Sequence, residues 1–249
     1  MKFDFKTFLL IGVVIVIWGI FLFISDNDSS DKKTTGDYLV VNSYNVWEYK
    51  SNNWSKLLLD SDLENLNMSY FDVYADNRFV GKYRYALKNG VSYYFNDDYS
   101  NIELDGELLA IPSDSDTSLI DYLYSDMDDE NNDIVYNYLK KLNLNISNVS
   151  YTKYSLDSGS IYFVTNVVDG YNDDTFYVIF YRDGLSNRLI YKEKFVDEKF
   201  KYYNLAWVLK MKKDKKISVI LKYECDRDVC YDMYQYIDGE YKLVIGSGE

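Results

Sequence analysis

Three neighbouring segments near the C-terminus decide the fold: ISVILKYEC at 217–225, CYDMYQYI at 230–237 and EYKLVI at 240–245. In the first segment every second residue from 217 to 223 is apolar or aromatic, which is the period of a half-buried strand. Asp238-Gly239 separates the other two segments, and such a pair tolerates the positive φ angles of a type I′ hairpin turn. This region therefore predicts antiparallel strands joined by tight turns.

The same turn signal recurs along the chain. Five glycines follow Asn or Asp, and several of these pairs separate segments that are rich in Tyr, Val and Ile. The pairs are Asn89-Gly90, Asp105-Gly106, Asp169-Gly170, Asp183-Gly184 and Asp238-Gly239. A three-residue loop, Asp157-Ser158-Gly159, is predicted between strands at 150–156 and 160–168. The sequence thus predicts a mainly β domain of locally connected, antiparallel hairpins.

One helical insertion is predicted within this domain, near 117–142. Apolar or amphipathic residues follow an i, i+1, i+4, i+5, i+8 pattern at Ile134, Val135, Tyr138, Leu139 and Leu142, which is typical of an amphipathic helix. The segment TSLIDYLY at 117–124 is interpreted as a shorter helix that precedes it.

Two aromatic hairpins resemble each other at opposite ends of the domain. The segment 46–57 contains Trp47, Tyr49 and Trp54, and the segment 233–244 contains aromatic residues at the same spacing, with a turn in each. The pattern resembles the aromatic hairpins of β-propeller blades, although it covers only about a dozen residues at each end. A β-propeller-like domain and a β-sandwich both remain open.

An apolar run near the N-terminus predicts a transmembrane helix. Phe8 to Ile24 reads FLLIGVVIVIWGIFLFI, and 17 residues at about 1.5 Å each span roughly 25 Å. The run is longer than a usual signal-peptide core of about 7–15 residues, and no small-residue cleavage site follows it. The predicted organisation is a tail at 1–7, a membrane span at 8–24, a polar linker at 25–36 and an extracytoplasmic domain at 37–249.

The positive-inside rule decides the orientation only weakly, because two lysines flank each side of the span. Lys6 lies closer to the span than Lys32 and Lys33 do. We therefore expect a single-pass protein with a cytoplasmic N-terminus and an extracytoplasmic C-terminal domain.

The two cysteines indicate an oxidising compartment. Cys225 and Cys230 bracket four residues between two predicted strands, so a four-residue loop places them directly opposite each other, within disulfide range. A disulfide there is consistent with an extracytoplasmic location, whereas two free thiols are the alternative.

The net charge of −13 is concentrated in one part of the chain. Residues 89–139 contain thirteen acids and no Lys or Arg, whereas residues 192–222 contain ten Lys and four acids. The acidic stretch raises the hypothesis of a Ca²⁺ site, with Asp126, Asp128 and Glu130 as ligands. An EF-hand is excluded because the loop glycine is absent and Asn137 occupies the twelfth position. A solvated acidic loop is the alternative, and no other cofactor is predicted.

The composition excludes several functions. The chain has no His, so Ser-His-Asp and Cys-His triads and His-ligated metals are ruled out. Its acidity argues against nucleic-acid binding. We therefore predict a membrane-anchored binding or interaction module for a protein or glycan, without catalysis. Trp47, Trp54 and Trp207 are candidate ligand contacts or, equally, core residues. The alternatives are a structural component of a cell-envelope complex and a carboxylate-based hydrolase of envelope glycans.

Overall fold

Antiparallel β-strands form most of the domain. The computed structural model of the chain describes residues 37–41, 45–50, 53–56, 70–88, 91–96, 101–127, 133–144, 149–168, 175–195, 201–212, 215–226 and 228–246. In these ranges the chain forms three sheets and one helix. The prediction of a mainly β domain is therefore confirmed. The segment Phe8 to Ile24 lies outside the described residues, and within them no helix is long and apolar enough to cross a membrane.

Sheet I contains the first eight strands, in the spatial order β3-β2-β1-β8-β4-β5-β6-β7. The strands are β1 (Asp37–Val41), β2 (Asn45–Lys50), β3 (Asn53–Lys56), β4 (Tyr70–Ala75), β5 (Arg78–Lys88), β6 (Val91–Phe95), β7 (Asn101–Ile102) and β8 (Leu108–Pro112). Strand β8 is inserted between β1 and β4, where Ala110 pairs with both Val40 and Val73.

Sheet II is a meander of consecutive strands, whereas sheet III combines four consecutive strands with one edge strand from earlier in the chain. Sheet II has the order β10-β11-β12-β13-β14, and sheet III has the order β18-β17-β16-β15-β9. Their strands are β9 (Thr117–Ile120), β10 (Tyr122–Met127), β11 (Ser150–Leu156), β12 (Gly159–Val168), β13 (Thr175–Asp183), β14 (Ser186–Lys194), β15 (Asn204–Met211), β16 (Ile217–Cys225), β17 (Asp228–Ile237) and β18 (Glu240–Gly246). The chain passes from sheet III to sheet II at Asp121, between β9 and β10.

Sheet III has a buried core on each of its faces. On β16, Val219 and Leu221 pack with residues of sheet II such as Ile179, whereas Ile220 packs with residues of sheet I such as Trp47. Alternate residues of a strand point to opposite faces, so a strand that is covered on both sides needs a continuous apolar run. The run VIL at 219–221 meets that need, and sheet III therefore lies between sheets I and II.

The single described helix, α1 (Asp133–Lys141), covers the other face of sheet II. Its buried residues Val135, Tyr138 and Leu139 pack with residues of β12 and β13. Asp133 in the first turn and Lys140 and Lys141 in the last turn suit the helix dipole. The predicted insertion is confirmed here.

The helix predicted at 117–124 is wrong. Residues 117–120 form β9, which pairs with β15, and residues 122–127 form β10, which pairs with β11. Thr, Ile and Tyr favour strands, and pairing with two different sheets prevails over the weak helical pattern of this short segment.

The described Asp-Gly pairs differ in the turns they form. Asp238-Gly239 closes a two-residue hairpin with both φ angles positive, at 53° and 93°. Asp105-Gly106 closes no hairpin, because β7 pairs with β6 while β8 pairs with β1 and β4. The predicted three-residue loop at 157–159 is a two-residue loop, since Leu156 pairs with Gly159. The pairs at 89–90 and 169–170 lie outside the described residues.

The two aromatic hairpins have matching geometry. Tyr49 pairs with Trp54 across β2 and β3, and the ring centroids are 5.1 Å apart. Tyr236 pairs with Tyr241 across β17 and β18, at 5.4 Å. Strand β18 also lies beside β3, so the two hairpins are neighbours at the edges of sheets I and III.

Cys225 and Cys230 form a disulfide with Cα atoms 5.8 Å apart. The expected register of their strands is wrong, however, because Cys225 pairs with Asp228 and Cys230 pairs with Tyr223. The ladder ends at the pair of Cys225 with Asp228, and Asp226, which follows Cys225, has a φ of 40°. The disulfide therefore joins diagonal neighbours on one face of the hairpin.

Candidate binding cleft

A cleft of about 690 Å³ opens beside the turn between β4 and β5 and the crossing from β9 to β10. A volume of this size suits a small ligand, since such sites usually measure about 300–1,000 Å³. Its lining combines aromatic, charged and amide side chains: Tyr74, Asp76, Asn77, Arg78, Phe79, Leu119, Asp121, Tyr122 and Leu123. We call this feature the binding cleft.

The turn at Asp76-Asn77 forms one wall of the cleft. Both residues have positive φ angles, 46° and 63°, so β4 and β5 are joined by a tight turn without glycine. Asp and Asn adopt this left-handed conformation more readily than other residues with side chains. The turn therefore holds two polar side chains on a rigid hairpin.

Asp76 is fixed by the segment that precedes β8. The Glu107 N–H donates to Asp76 Oδ1 at 3.1 Å, and the Asp76 N–H donates to the Glu107 carbonyl at 3.1 Å. Gly106 makes this approach feasible, because its φ is 97° and a Cβ added there would lie 2.8 Å from Asp76 Oδ2. The segment at 105–107 thus positions the turn, although it forms no hairpin of its own.

Glu107 is itself anchored to sheet III. Lys222 Nζ lies 2.8 Å from Glu107 Oε2, and the Tyr231 hydroxyl donates to Glu107 Oε1 at 2.7 Å. Tyr231 also stacks on Trp207, with centroids 5.6 Å apart. Because the carboxylate has a partner on each oxygen, the wall of the cleft is tied to the buried core.

A second Lys–carboxylate–Tyr cluster lies on the opposite face of β17. The buried Asp232 carboxylate accepts a hydrogen bond from Tyr203 and lies 3.2 Å from Lys201 Nζ, which also stands 4.3 Å from the Tyr223 ring centre. Burial lowers the pKa of Lys201, but its hydrogen bonds to Tyr223 and Asp232 outweigh that effect and raise it. We interpret this cluster as structural, because Lys201 of the cluster itself covers the face of the Tyr223 ring.

Asn77 carries an unused acceptor at the cleft. Its Oδ1 is buried, and it has no hydrogen-bond partner among the described residues. Most buried polar atoms in proteins have a partner, so an orphaned one calls for an explanation. A ligand that donates a hydrogen bond would supply the missing partner only after the Asn77 side chain turned to expose Oδ1 to the cleft.

Aromatic and apolar side chains form the rim. The Phe79 side chain is 60% exposed, and its ring meets Tyr74 edge-on at 5.6 Å. Leu123, which is 78% exposed, faces the same cleft. Exposed groups of this size that border a concave site are typical of ligand contacts.

Two tyrosines that line the cleft have raised pKa values. Burial, and then the charges of Asp72 and Asp121, raise the pKa of Tyr74. Burial and the neighbouring Tyr154 and Glu107 raise the pKa of Tyr122, whose hydroxyl donates to the Ala206 carbonyl at 3.1 Å. Both phenols are therefore protonated at neutral pH, and Tyr122 is oriented by the backbone of β15.

The three tryptophans named as candidate contacts lie elsewhere. Trp47, Trp54 and Trp207 are 1%, 3% and 0% exposed, in the core between sheets I and III. Burial of these large aromatic side chains accounts for their position. They are core residues, which is the alternative that the sequence left open.

The acidic and Lys-rich stretches meet inside the domain. Strand β9 pairs with β15, Lys212 Nζ donates to the Ser115 carbonyl at 3.0 Å, and Lys222 is paired with Glu107. Part of the charge asymmetry is therefore neutralised internally.

The proposed calcium ligands are not tested by the structure. Asp128 and Glu130 lie outside the described residues, as does the side chain of Asp126. Among the groups that are described, no three Asp, Glu or Cys side chains are placed to hold a metal ion.

No residue of the binding cleft is predicted from the sequence. The available signal was Asp76-Asn77 between YFDVYA at 70–75 and RFVGKYRY at 78–85, because Asp-Asn also tolerates a type I′ turn. A search that relied on glycine overlooked it. The opposite wall could not be found, since its strands had been interpreted as a helix.

Comparisons with known proteins give no further guidance: no family model, curated protein or solved structure matches the chain.

Proposed function

We propose that this chain is a membrane-anchored binding module whose domain, residues 37–249, lies outside the cytoplasm and holds its partner in the binding cleft. The observation that carries the proposal is the cleft itself, about 690 Å³ in volume, with exposed Phe79 and Leu123 at its rim. Its walls belong to paired strands and a hydrogen-bonded turn, so little conformational entropy would be lost on binding. The apolar run from Phe8 to Ile24 supports the anchor.

Photo-crosslinking in intact cells tests the contact surface without knowledge of the ligand. We expect p-benzoylphenylalanine at Leu123 to yield an adduct, because a benzophenone inserts into C–H bonds of proteins and glycans alike. Leu185 is the matched control, since it is 93% exposed and lies outside the cleft lining. Equal labelling at both positions, or none at Leu123, would refute the cleft as the contact surface.

Accessibility labelling tests the topology. We expect a Leu185→Cys variant to react with a membrane-impermeant maleimide in intact cells, and an Asp4→Cys variant to react only after lysis. Cys225 and Cys230 do not compete, because they are joined in a disulfide. The reverse pattern would place the domain in the cytoplasm.

We also propose that the three sheets stack as propeller-like blades rather than as a two-sheet sandwich. Sheet III has a core on each face, and the matching aromatic hairpins lie at neighbouring edges of sheets I and III. A simple sandwich has one core between two sheets.

A carboxylate-based hydrolase is the second candidate, because Asp76 and Asp121 line the same cleft. The general acid of such enzymes is kept protonated by apolar surroundings, whereas both of these side chains are exposed. Binding therefore has more support than catalysis. If the domain released reducing ends from an oligosaccharide, and if Asp76→Asn and Asp121→Asn each abolished that release, catalysis would have more support than binding.

A further inference from the structure

We infer that the binding cleft recognises a neutral oligosaccharide. This inference rests on the proposed function and names the class of ligand for the same site. Three features of the cleft carry it: an exposed aromatic face, a set of planar polar side chains, and a balance of charge that suits an uncharged ligand.

The aromatic face is supplied by Phe79. A sugar ring has one face of C–H groups, and these are attracted to the negative face of an aromatic ring. The Phe79 ring is 60% exposed, and Tyr74 supports it edge-on at 5.6 Å. The ring is therefore accessible and has a contact with Tyr74.

The polar side chains match adjacent hydroxyl groups. Carboxylates, amides and guanidinium groups each present two polar atoms in one plane, so one side chain can bind two neighbouring hydroxyls. The cleft holds all three types, in Asp76 and Asp121, Asn77, and Arg78. Asn77 Oδ1 is buried and lacks a partner in the described part of the chain, so a hydroxyl donor would satisfy it once the side chain turned towards the ligand.

The charge of the cleft argues against ionic ligands. Two carboxylates and one guanidinium line it, so an anionic polymer meets a net negative wall, and a cationic peptide meets the positive charge of Arg78. A hydroxyl group both donates and accepts, so a neutral sugar can pair with the carboxylates and the guanidinium alike.

Calorimetric titration of the full-length chain in lipid nanodiscs tests the inference, since glycoside detergents would compete for the cleft. The probes are cellotetraose, maltotetraose and chitotetraose, with pentalysine as the peptide probe. We expect at least one tetrasaccharide to bind, and Phe79→Ala to weaken it by about tenfold or more, as loss of an aromatic contact of about 1.5 kcal/mol predicts.

Matched variants separate the cleft from general effects. Tyr202 is also 60% exposed but lies outside the cleft lining, so Tyr202→Ala should leave the affinity unchanged. Asn77→Gly removes the orphan acceptor while glycine still accepts the φ of 63°, and we expect a threefold or greater loss of affinity with the fold retained.

The outcomes distinguish the inference from the proposed function. If no tetrasaccharide binds, or if Phe79→Ala and Tyr202→Ala behave alike, the oligosaccharide inference is overturned. If pentalysine binds instead and Asp121→Asn weakens it, the cleft binds a cationic peptide. In both cases, a crosslink specific to Leu123 in intact cells would still support the proposed binding module. Absence of that crosslink would refute both the binding module and the oligosaccharide inference.

Discussion

Gln235 is the only glutamine of the chain, and it is fully buried between sheets I and III. Neither its amide nitrogen nor its amide oxygen has a partner among the described residues, and the same holds for the hydroxyl of Ser218, its cross-strand neighbour. An unsatisfied buried polar group costs about 1–3 kcal/mol. This pair is therefore a weak point in an otherwise apolar layer.

Gln235→Leu should raise the free energy of unfolding by about 1 kcal/mol or more, because leucine fills similar space without a polar group. Urea denaturation of the wild-type and variant chains would measure the difference. Gln235→Glu is the control, and it should destabilise the domain because it buries a charge. A loss of stability in the leucine variant would instead mean that a bound water satisfies the amide.

Gly106→Ala should destabilise the domain and alter the cleft. A Cβ there lies 2.8 Å from Asp76 Oδ2, and alanine is strained at a φ of 97°, so we expect a loss of more than about 1 kcal/mol. Thermal unfolding would measure it. Gly184→Ala is the matched control, because its φ is 55° and nothing lies within 4 Å of the added Cβ. Equal losses in the two variants would show that the contact with Asp76 has no energetic role.

At the scale of elements, the disulfide closes the end of the β16–β17 hairpin. A ring of six residues constrains the unfolded chain only slightly, and the loop-entropy relation gives about 2 kcal/mol. We expect Cys225→Ser/Cys230→Ser to lower the free energy of unfolding by about that amount. Reductant should have the same effect on the wild-type domain and none on the variant. A reductant effect on the variant would contradict this assignment.

Local sequence patterns predicted the strands and the helix better than they predicted which strands pair with each other. The Asp238-Gly239 hairpin and α1 followed from turn chemistry and helical period. The register at Cys225 did not, because it depends on where the ladder ends. The helix predicted at 117–124 was wrong because the pairing partners of this segment, β15 and β11, are distant in sequence. The cleft could not be predicted for the same reason. Its two walls belong to segments that are distant in sequence and come together only in the folded sheets.

At the scale of the whole molecule, the tyrosines make the free energy of unfolding depend on pH in the alkaline range. Burial is the main cause that raises the pKa of many tyrosines. It raises the pKa of Tyr138 and of Tyr234 to about 12. The most strongly shifted are Tyr94, Tyr122, Tyr177, Tyr203 and Tyr241. In the unfolded chain a tyrosine ionises near its ordinary pKa of about 10. The folded state therefore retains protons that the unfolded state releases.

The sign of this linkage predicts alkaline unfolding. Stability from these tyrosines is fully present below pH about 10 and is lost as the pH rises towards their folded pKa values. We expect chemical denaturation at a series of pH values to show a free energy of unfolding that falls steeply above pH about 10. Tyrosinate absorbance should rise together with unfolding. Titration of these buried tyrosines at pH about 10 in the folded domain would contradict the prediction.

The insertion of β8 between β1 and β4 has a consequence for the order of folding. Sheet II pairs each strand with its neighbour in the chain. The hairpin of β1 and β2 joins β8 only when Ala110 reaches Val40, and β9 is paired only when Leu209 reaches Leu119. Closing long loops costs entropy before any contact rewards it, so distant pairings form slowly. We expect pulse-labelling hydrogen exchange to show β11–β13 protected before β9. During synthesis, β9 would then leave the ribosome well before β15, the strand with which it pairs.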